Sequence, residues 1–217
     1  MSTPPPGTGY FISPDDGPGP GVLLLHSFWG LNRAAKDTAN RLADSGFTVL
    51  APDLADGRQF DDEAAALAAL AQADVNVLAS LVQSSVGIVR RAQVDPSGPL
   101  GVVGFGSGAS WALWLSARLI DDVRAVVTYY GSQSTPMDRS EASYLCHWAT
   151  IDGNVSDDDI AQLGLSLQMA DRPFRFEHHL GTIDGFAESD RPGFNPEADA
   201  IAWRQTIEFL AHELRSR

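Results

Sequence analysis

Leu-Gly-Val-Val-Gly-Phe-Gly-Ser-Gly, residues 100–108, joins a short apolar run to a glycine-rich turn. An uninterrupted apolar run of this length is typical of a strand that is buried on both faces of a sheet. The apolar residues that follow, Trp111, Leu113 and Leu115, predict a helix. A strand, a tight turn and a helix in this order indicate an α/β fold with a parallel sheet.

The same alternation continues on both sides of this stretch. Strands are predicted at 10–12, 22–25, 47–51, 100–105, 123–129, 144–151 and 174–180, and helices at 33–43, 157–170 and 197–214. The alanine-rich segment 61–93 predicts two helices that separate near Asp74, with Leu67, Leu70, Leu78, Leu81 and Ile88 on the buried face. Such alternation predicts a mostly parallel central sheet with helices on both faces, and a ligand crevice beyond the carboxyl ends of the strands.

Length, charge and cysteine content limit the classes of function. With 217 residues, we expect a single domain, 1–217, in which residues 1–8 form a flexible N-terminal tail. A net charge of −13 argues against nucleic acid or an anionic membrane as a partner. The single cysteine, Cys146, excludes a disulfide framework and is expected in the core. The apolar runs are too short for a membrane span and the first residues do not resemble a secretory signal, so we expect a cytoplasmic monomer or small homo-oligomer.

The glycine-rich turn itself allows two interpretations. It could bind a phosphate at the helix N-terminus, or it could be the nucleophile elbow of a hydrolase. The spacing of Gly104, Gly106 and Gly108 does not give the dinucleotide-binding pattern, and no lysine follows in the position that a phosphate-binding loop requires. An acidic residue, Asp152, follows a later strand, which is the order found in hydrolases.

At the level of these motifs the sequence resembles the dienelactone hydrolase family of α/β-hydrolases over nearly the whole chain. The matching segments are 25–32, 51–54, 94–96, 100–105, 129–131, 190–198 and 202–203. The resemblance implies a single α/β-hydrolase domain that hydrolyses a lactone or carboxylic ester of small size through a covalent acyl-enzyme, without a cofactor or a metal.

The resemblance also assigns the catalytic positions. The family's nucleophile falls on Gly106, its catalytic aspartate on Asp152 and its histidine on Asp184. The backbone N–H groups of Phe28 and Ser107 fall on the oxyanion hole. Glycine has no nucleophilic atom and an aspartate is a poor proton relay near neutral pH, so two of the three positions cannot perform the family's chemistry.

Other side chains are assigned to the surroundings of these positions. The pocket is expected to be lined by Ser27, Trp29, Tyr130 and Phe186, with Phe28 and Trp148 also lining it unless they belong to the core. In this family a glutamate commonly stands at the position of Ser27, and some members place an arginine for a substrate carboxylate at the position of Glu188.

Local reasoning adds expectations for single residues. Ser107 is expected to cap the helix that follows the elbow through its hydroxyl. Gly106 is expected at positive φ, and His26 is expected to be a buried histidine at a strand end rather than a general base. Asp152 and Asp184 are expected to face each other, which would raise one of their pKa values and could create a divalent-cation site.

Three hypotheses of function follow. The first is a degenerate hydrolase that keeps the pocket and binds a small molecule or a partner. The second is an active ester or lactone hydrolase with a rearranged site, in which Ser107 or Ser27 acts with Asp152 and Asp184. The third is a non-enzymatic interaction module that uses the acidic surface.

Overall fold

The computed structural model describes residues 9–119 and 122–214, so the predicted N-terminal tail lies outside the described residues. The strands are β1 (Tyr10–Ile12), β2 (Gly21–Leu25), β3 (Thr48–Ala51), β4 (Leu100–Phe105), β5 (Val123–Tyr129), β6 (Ser143–Ile151) and β7 (Phe174–Ile183). The helices are α1 (Arg33–Asp44), α2 (Glu63–Ala71), α3 (Val75–Ala92), α4 (Ser107–Ser116), α5 (Asp157–Met169) and α6 (Pro196–Glu213). The fold is that of an α/β-hydrolase, as the alternation of the sequence predicts.

The seven strands form one sheet in the order β1-β3-β2-β4-β5-β6-β7. All neighbouring pairs are parallel except β1 and β3, which are antiparallel. The carboxyl ends of the parallel strands therefore lie at the same edge of the sheet, where a ligand crevice is expected.

Helices cover both faces of the sheet, and the burial of β2 shows how. Val22 and Leu24 point into the core under α1 and α6, whereas Leu23 and Leu25 point into the core under α3, α4 and α5. Successive residues of a strand point to opposite faces, so every position of a strand covered on both faces must be apolar.

The helices of the alanine-rich segment follow the predicted break but not the predicted face. Asp74 ends the break and caps α3 through its side chain. The prediction of a leucine-lined buried face was wrong, because Leu67, Leu70 and Ile88 are exposed. Instead α3 buries Val82, Ser85, Val86 and Val89, whose spacing of three and four residues places them on one face of the helix.

Among the described residues, no single helix has the length and apolar character to cross a membrane. Only α2 and α3 taken together, which meet at a bend of 91°, reach that length and composition.

Candidate active site

The carboxyl ends of the parallel strands border a cleft of about 700 Å³. Its walls are formed by residues at or just after the ends of five strands, namely 27–29, 106–107, 130–132, 153–155 and 183–185. The rest of the lining comes from α2 and the residues before it (61–63, 67 and 70), from Ser110 in α4, and from residues 188 and 191–193 after β7. The cleft thus lies at the edge of the sheet that the topology predicts for a ligand.

The turn between β4 and α4 has the backbone geometry of an elbow. Gly106 has φ +49° and ψ −116°, as predicted for a position that disfavours other residues. A Cβ placed on Gly106 would lie 3.4 Å from Cβ of Ser27, which is an ordinary contact. The backbone conformation, rather than lack of space, therefore makes a side chain costly here.

Gly108 explains how α4 packs so near the sheet. A Cβ at this position would lie 2.1 Å from the carbonyl oxygen of Leu25 and 2.5 Å from that of His26. Only glycine allows this close approach of the helix to the end of β2. The start of α4 is thereby held against the segment that carries Ser27 and Phe28.

The prediction that the Ser107 hydroxyl caps α4 was wrong. Gly106 is the N-cap residue, and no side chain of the described residues caps the N-terminus of this helix. Ser107 is already the first helical residue, so its hydroxyl is not placed to accept from the next N–H groups of the turn.

Phe28 and Ser107 contribute two backbone N–H groups to the segments that border the cleft. Both residues line it, and in residues 9–119 and 122–214 neither N–H group donates to a protein acceptor. The N–H of Ser107 also lies at the N-terminus of α4, where the helix dipole favours a negatively charged oxygen. Backbone N–H groups of this kind are the usual donors of an oxyanion hole.

Asn154 forms hydrogen bonds with both Asp152, which follows β6, and Asp184, which follows β7. Oδ1 of Asp152 accepts from the backbone N–H groups of Asn154 at 2.8 Å and Val155 at 3.0 Å. The side-chain amide of Asn154 donates to Oδ2 of Asp184 at 3.4 Å. Oδ2 of Asp152 is buried without a hydrogen-bond partner in the described part of the chain.

The pKa of Asp152 is raised, as expected for one member of this pair. Partial burial is the largest cause, and the negative charge of Asp184 adds to it. The two carboxylates are not joined by a third potential metal ligand. The described residues hold no group of three or more His, Cys, Asp or Glu side chains that could bind a metal ion.

Glu188 forms the most buried carboxyl group of the cleft. Its Oε1 accepts a hydrogen bond of 2.6 Å from the Ser27 hydroxyl, and its Oε2 accepts one of 3.0 Å from the Tyr130 hydroxyl. Burial raises the pKa of Glu188 to about 7, although both donors oppose the shift. A carboxyl group with such a pKa can both accept and donate a proton near neutral pH.

Sequence reasoning named Glu188 only as the counterpart of an arginine and missed this cluster. Ser27 and Glu188 are 161 positions apart, so no local pattern joins them. The sequence carries one signal for it, which is an acidic residue directly after the apolar residues 185–187.

Tyr130 reaches Glu188 from an unusual backbone conformation. Its φ is +37°, although it is not a glycine, and its N–H donates to the carbonyl oxygen of His147. Non-glycine residues at positive φ persist where the surrounding structure holds them, and such positions cluster at functional sites.

The histidines near the cleft are engaged elsewhere. The backbone N–H of Leu54 donates to Nε2 of His26, so Nδ1 carries the hydrogen that is donated to the carbonyl oxygen of Ser27 at 2.7 Å. Burial lowers the pKa of His26, as expected for a neutral buried histidine. The side chain of His179 contacts another histidine, with its Nε2 3.0 Å from Nδ1 of the buried His147.

The aromatic residues divide between the cleft and the core. Phe28 and Trp29 line the cleft, and the Arg191 guanidinium lies 4.3 Å from the Trp29 ring centre. The prediction that Phe186 lines the pocket was wrong, because it is fully buried between the rings of Tyr130 and His179. Trp148 is also a core residue rather than part of the pocket.

Cys146 is buried, and burial raises the pKa of its thiol to about 12. It therefore remains a neutral thiol of the core, as its place within β6 predicts.

Comparison with known proteins shows what this fold and cleft resemble. Carboxymethylenebutenolidase from Rhodococcus opacus is 28% identical over 222 residues, which cover 93% of this chain and 84% of the relative. Protein usf from Aquifex pyrophilus is 24% identical, covering 95% of this chain and 93% of the relative. The crystal structure of a dienelactone hydrolase-like promiscuous phosphotriesterase from metagenomic libraries superimposes with a TM-score of 0.82 at 24% identity, covering 95% and 92% of the two chains.

The family model agrees with these relatives. The model of the dienelactone hydrolase family matches residues 8–214, which is nearly the whole chain. This protein therefore belongs to the dienelactone hydrolase family.

Proposed function

We propose that this protein binds a small ester or lactone in the cleft and does not form the family's acyl-enzyme at residue 106. The ligand's carbonyl oxygen would lie between the N–H groups of Phe28 and Ser107. The observation that carries the proposal is Gly106, which occupies the elbow between β4 and α4 with no side-chain atom to attack a carbonyl.

The other two positions of the proposed triad support the same conclusion. We assign Asp152 to the position of the family's aspartate and Asp184 to that of its histidine. An imidazole accepts a proton from the nucleophile and returns it to the leaving group, and a carboxylate is much less suited to both steps at neutral pH. Oδ2 of Asp152 has no hydrogen-bond partner among the described residues, which is consistent with the loss of an imidazole that would have donated to it.

Unlike the triad, the features that would bind the ligand are present. The two N–H donors have no other acceptor in the described residues, and the cleft of about 700 Å³ is large enough for a small organic molecule. The relative from Rhodococcus opacus is named for hydrolysis of a butenolide-type lactone, which makes lactones the first ligands to test.

A thermal-shift titration with a saturated lactone tests binding, paired with a turnover assay on an activated aryl ester. We expect the lactone to raise the Tm of the parent and of the control Trp114→Ala, whose ring packs on Trp111 away from the cleft wall. We expect Trp29→Ala to lose the shift. The absence of stabilisation by any lactone or ester would contradict binding. Turnover that disappears in both Asp152→Asn and Asp184→Asn would show that these two carboxylates take part in a rearranged reaction, contrary to a role in binding alone.

The rearranged hydrolase remains the second candidate, and one contact favours Ser27 over Ser107. The Ser27 hydroxyl donates to a buried carboxyl group. The Ser107 hydroxyl forms no hydrogen bond with a basic group in the part of the chain that the structure describes.

A further inference from the structure

Ser27, Tyr130 and Glu188 form one hydrogen-bonded group in the wall of the cleft. The end of β2 supplies Ser27, the end of β5 supplies Tyr130, and the segment after β7 supplies Glu188. Both oxygens of Glu188 accept, at 2.6 Å from Ser27 and 3.0 Å from Tyr130. The carboxyl group is thereby fixed with one oxygen on the serine hydroxyl, as a general base for that hydroxyl must be.

This group lies beside the elbow. Cβ of Ser27 is 3.4 Å from the point at which a side chain on Gly106 would begin. Ser27 also directly precedes Phe28, whose N–H is one of the two donors proposed for the carbonyl oxygen. A hydroxyl at Ser27 is consequently near the site that a nucleophile on the elbow would reach.

The electrostatic surroundings suit a base that works near neutral pH. The pKa of Glu188 is raised to about 7; burial is the largest cause, and the charge of Asp190 acts in the same direction. The hydroxyl donors and the charge of Arg191 act in the opposite direction. Arg191 is itself paired with Asp190 at 2.9 Å, which limits its effect on Glu188.

We propose that Ser27 is the nucleophile of a rearranged active site and that Glu188 is its general base, acting on a small ester or lactone. This inference rests on the proposed function, because it requires such a ligand to bind in the cleft. Tyr130 would act as a positioning residue that holds Glu188 against Ser27.

The reaction balances with water as the only co-reactant. Oγ of Ser27 forms a bond to the carbonyl carbon while its proton passes to Oε1 of Glu188, and the oxyanion accepts from Phe28 and Ser107. The bond to the leaving oxygen then breaks, and that oxygen takes the proton from Glu188. Water adds to the acyl carbon, giving its proton to Glu188; the bond to Oγ breaks and Oγ recovers that proton, releasing the carboxylic acid.

The test combines kinetics with mass spectrometry on the full chain. Ser27→Ala and Glu188→Gln should lower kcat/KM on an activated aryl ester by about 10²-fold or more, the scale of a lost general base. The exposed residues Ser84 and Glu141 provide matched controls, and Ser84→Ala and Glu141→Gln should leave the rate unchanged. A fluorophosphonate should label the parent once, on the peptide that contains Ser27.

Two further variants keep the test independent of folding defects. Ser27→Cys retains a nucleophile and should be alkylated by iodoacetamide in competition with the lactone. Tyr130→Phe removes a donor that lowers the pKa of Glu188, so the midpoint of the pH–rate profile should move upward from about 7.

The outcomes separate this inference from the proposed function. Labelling of another residue, full activity in Ser27→Ala, or full activity in Glu188→Gln would overturn the Ser27–Glu188 assignment. Lactone binding with no turnover and no label would also overturn it, while leaving the proposed binding function intact. Failure of the lactone to stabilise the protein would instead refute the proposed function itself.

Discussion

The Ser27 hydroxyl and Oε1 of Glu188 are 2.6 Å apart, which joins the end of β2 to the segment after β7 inside the cleft. The contact is buried, and its carboxyl group has a pKa near 7. The titration of this single group should therefore be visible in the stability of the fold as well as in any catalysis.

Glu188→Gln should change how stability depends on pH. A carboxyl group whose pKa rises on folding from 4.5 to about 7 destabilises the fold as pH rises through that window. The full effect corresponds to about 3 kcal/mol. The free energy of unfolding of Glu188→Gln, relative to the parent, should increase by up to that amount between pH 4.5 and 8.

Urea unfolding at several pH values measures this difference, with Glu141→Gln as the control on an exposed carboxyl group. A difference between Glu188→Gln and the parent that stays constant from pH 4.5 to 8 would show that Glu188 titrates normally.

Asp184→Asn should lower the pKa of Asp152 towards its ordinary value, because it removes a neighbouring negative charge. Because Asp184 contributes to raising that pKa, its charge destabilises the fold above the unfolded value of about 4 and not below it. The carbonyl oxygen of the amide introduced at position 184 can still accept a hydrogen bond from the side-chain amide of Asn154. We expect higher stability than the parent at pH 7 and equal stability at pH 3.5.

Chemical unfolding at these two pH values checks the sign, and Asp16→Asn in the exposed turn before β2 is the control. If Asp184→Asn is no more stable than the parent at pH 7, the two carboxylates do not interact.

How far the sequence predicts this molecule depends on the range of the interactions. Continuous apolar runs predict the strands because burial on both faces is a local requirement, and β5 has the predicted bounds. Gly106 is likewise predicted at positive φ from its place in the turn. The surroundings of the site depend on contacts between distant segments. Phe186 was misplaced for this reason, since its packing on Tyr130 and His179 follows no local pattern.

The charge of the cleft should select among ligands. Carboxyl groups line it at Asp61, Asp62, Glu63, Asp184 and Glu188, and Arg191 is the lining cation in the described residues. Arg191 is paired with Asp190 and packs on Trp29, so it offers little charge to a ligand. An ester with a trimethylammonium group should bind on the order of tenfold more tightly than its carboxylate analogue, or about 1.4 kcal/mol.

Competition titrations at low and high salt check this preference, which should shrink as sodium chloride screens the exposed carboxylates. A triple variant with Asp61→Asn, Asp62→Asn and Glu63→Gln should reduce the preference for the trimethylammonium ester further. Equal affinity for the two esters at low salt would mean that the cleft's charge does not reach the ligand.

Gly106→Ser should cost stability without restoring the family's chemistry. Its Cβ has room beside Ser27, so the cost comes from φ of +49° and should be about 1–3 kcal/mol. Little activity should appear through position 106, because Asp184 does not supply an imidazole to activate the new hydroxyl. Thermal or urea unfolding measures the loss, and an unchanged stability would show that the elbow relaxes around the side chain.

Gly106→Cys combined with Asp184→His should rebuild the constellation assigned to the family. Oδ2 of Asp152, which has no partner within residues 9–119 and 122–214, would accept from the new imidazole. The imidazole would in turn activate the thiol, while Phe28 and Ser107 supply the oxyanion donors. The effects of residues that act as a unit are not additive, so the double variant should gain far more kcat/KM on an activated ester than the two single variants together.

The double variant and the two single variants should all be built on Ser27→Ala, so that turnover through Ser27 does not obscure the gain. Gly106→Cys with Asp184→Asn is the matched control, since it keeps the thiol and lacks the base. A double variant that folds yet hydrolyses the ester no faster than this control would show that positions 106 and 184 do not correspond to the family's nucleophile and histidine.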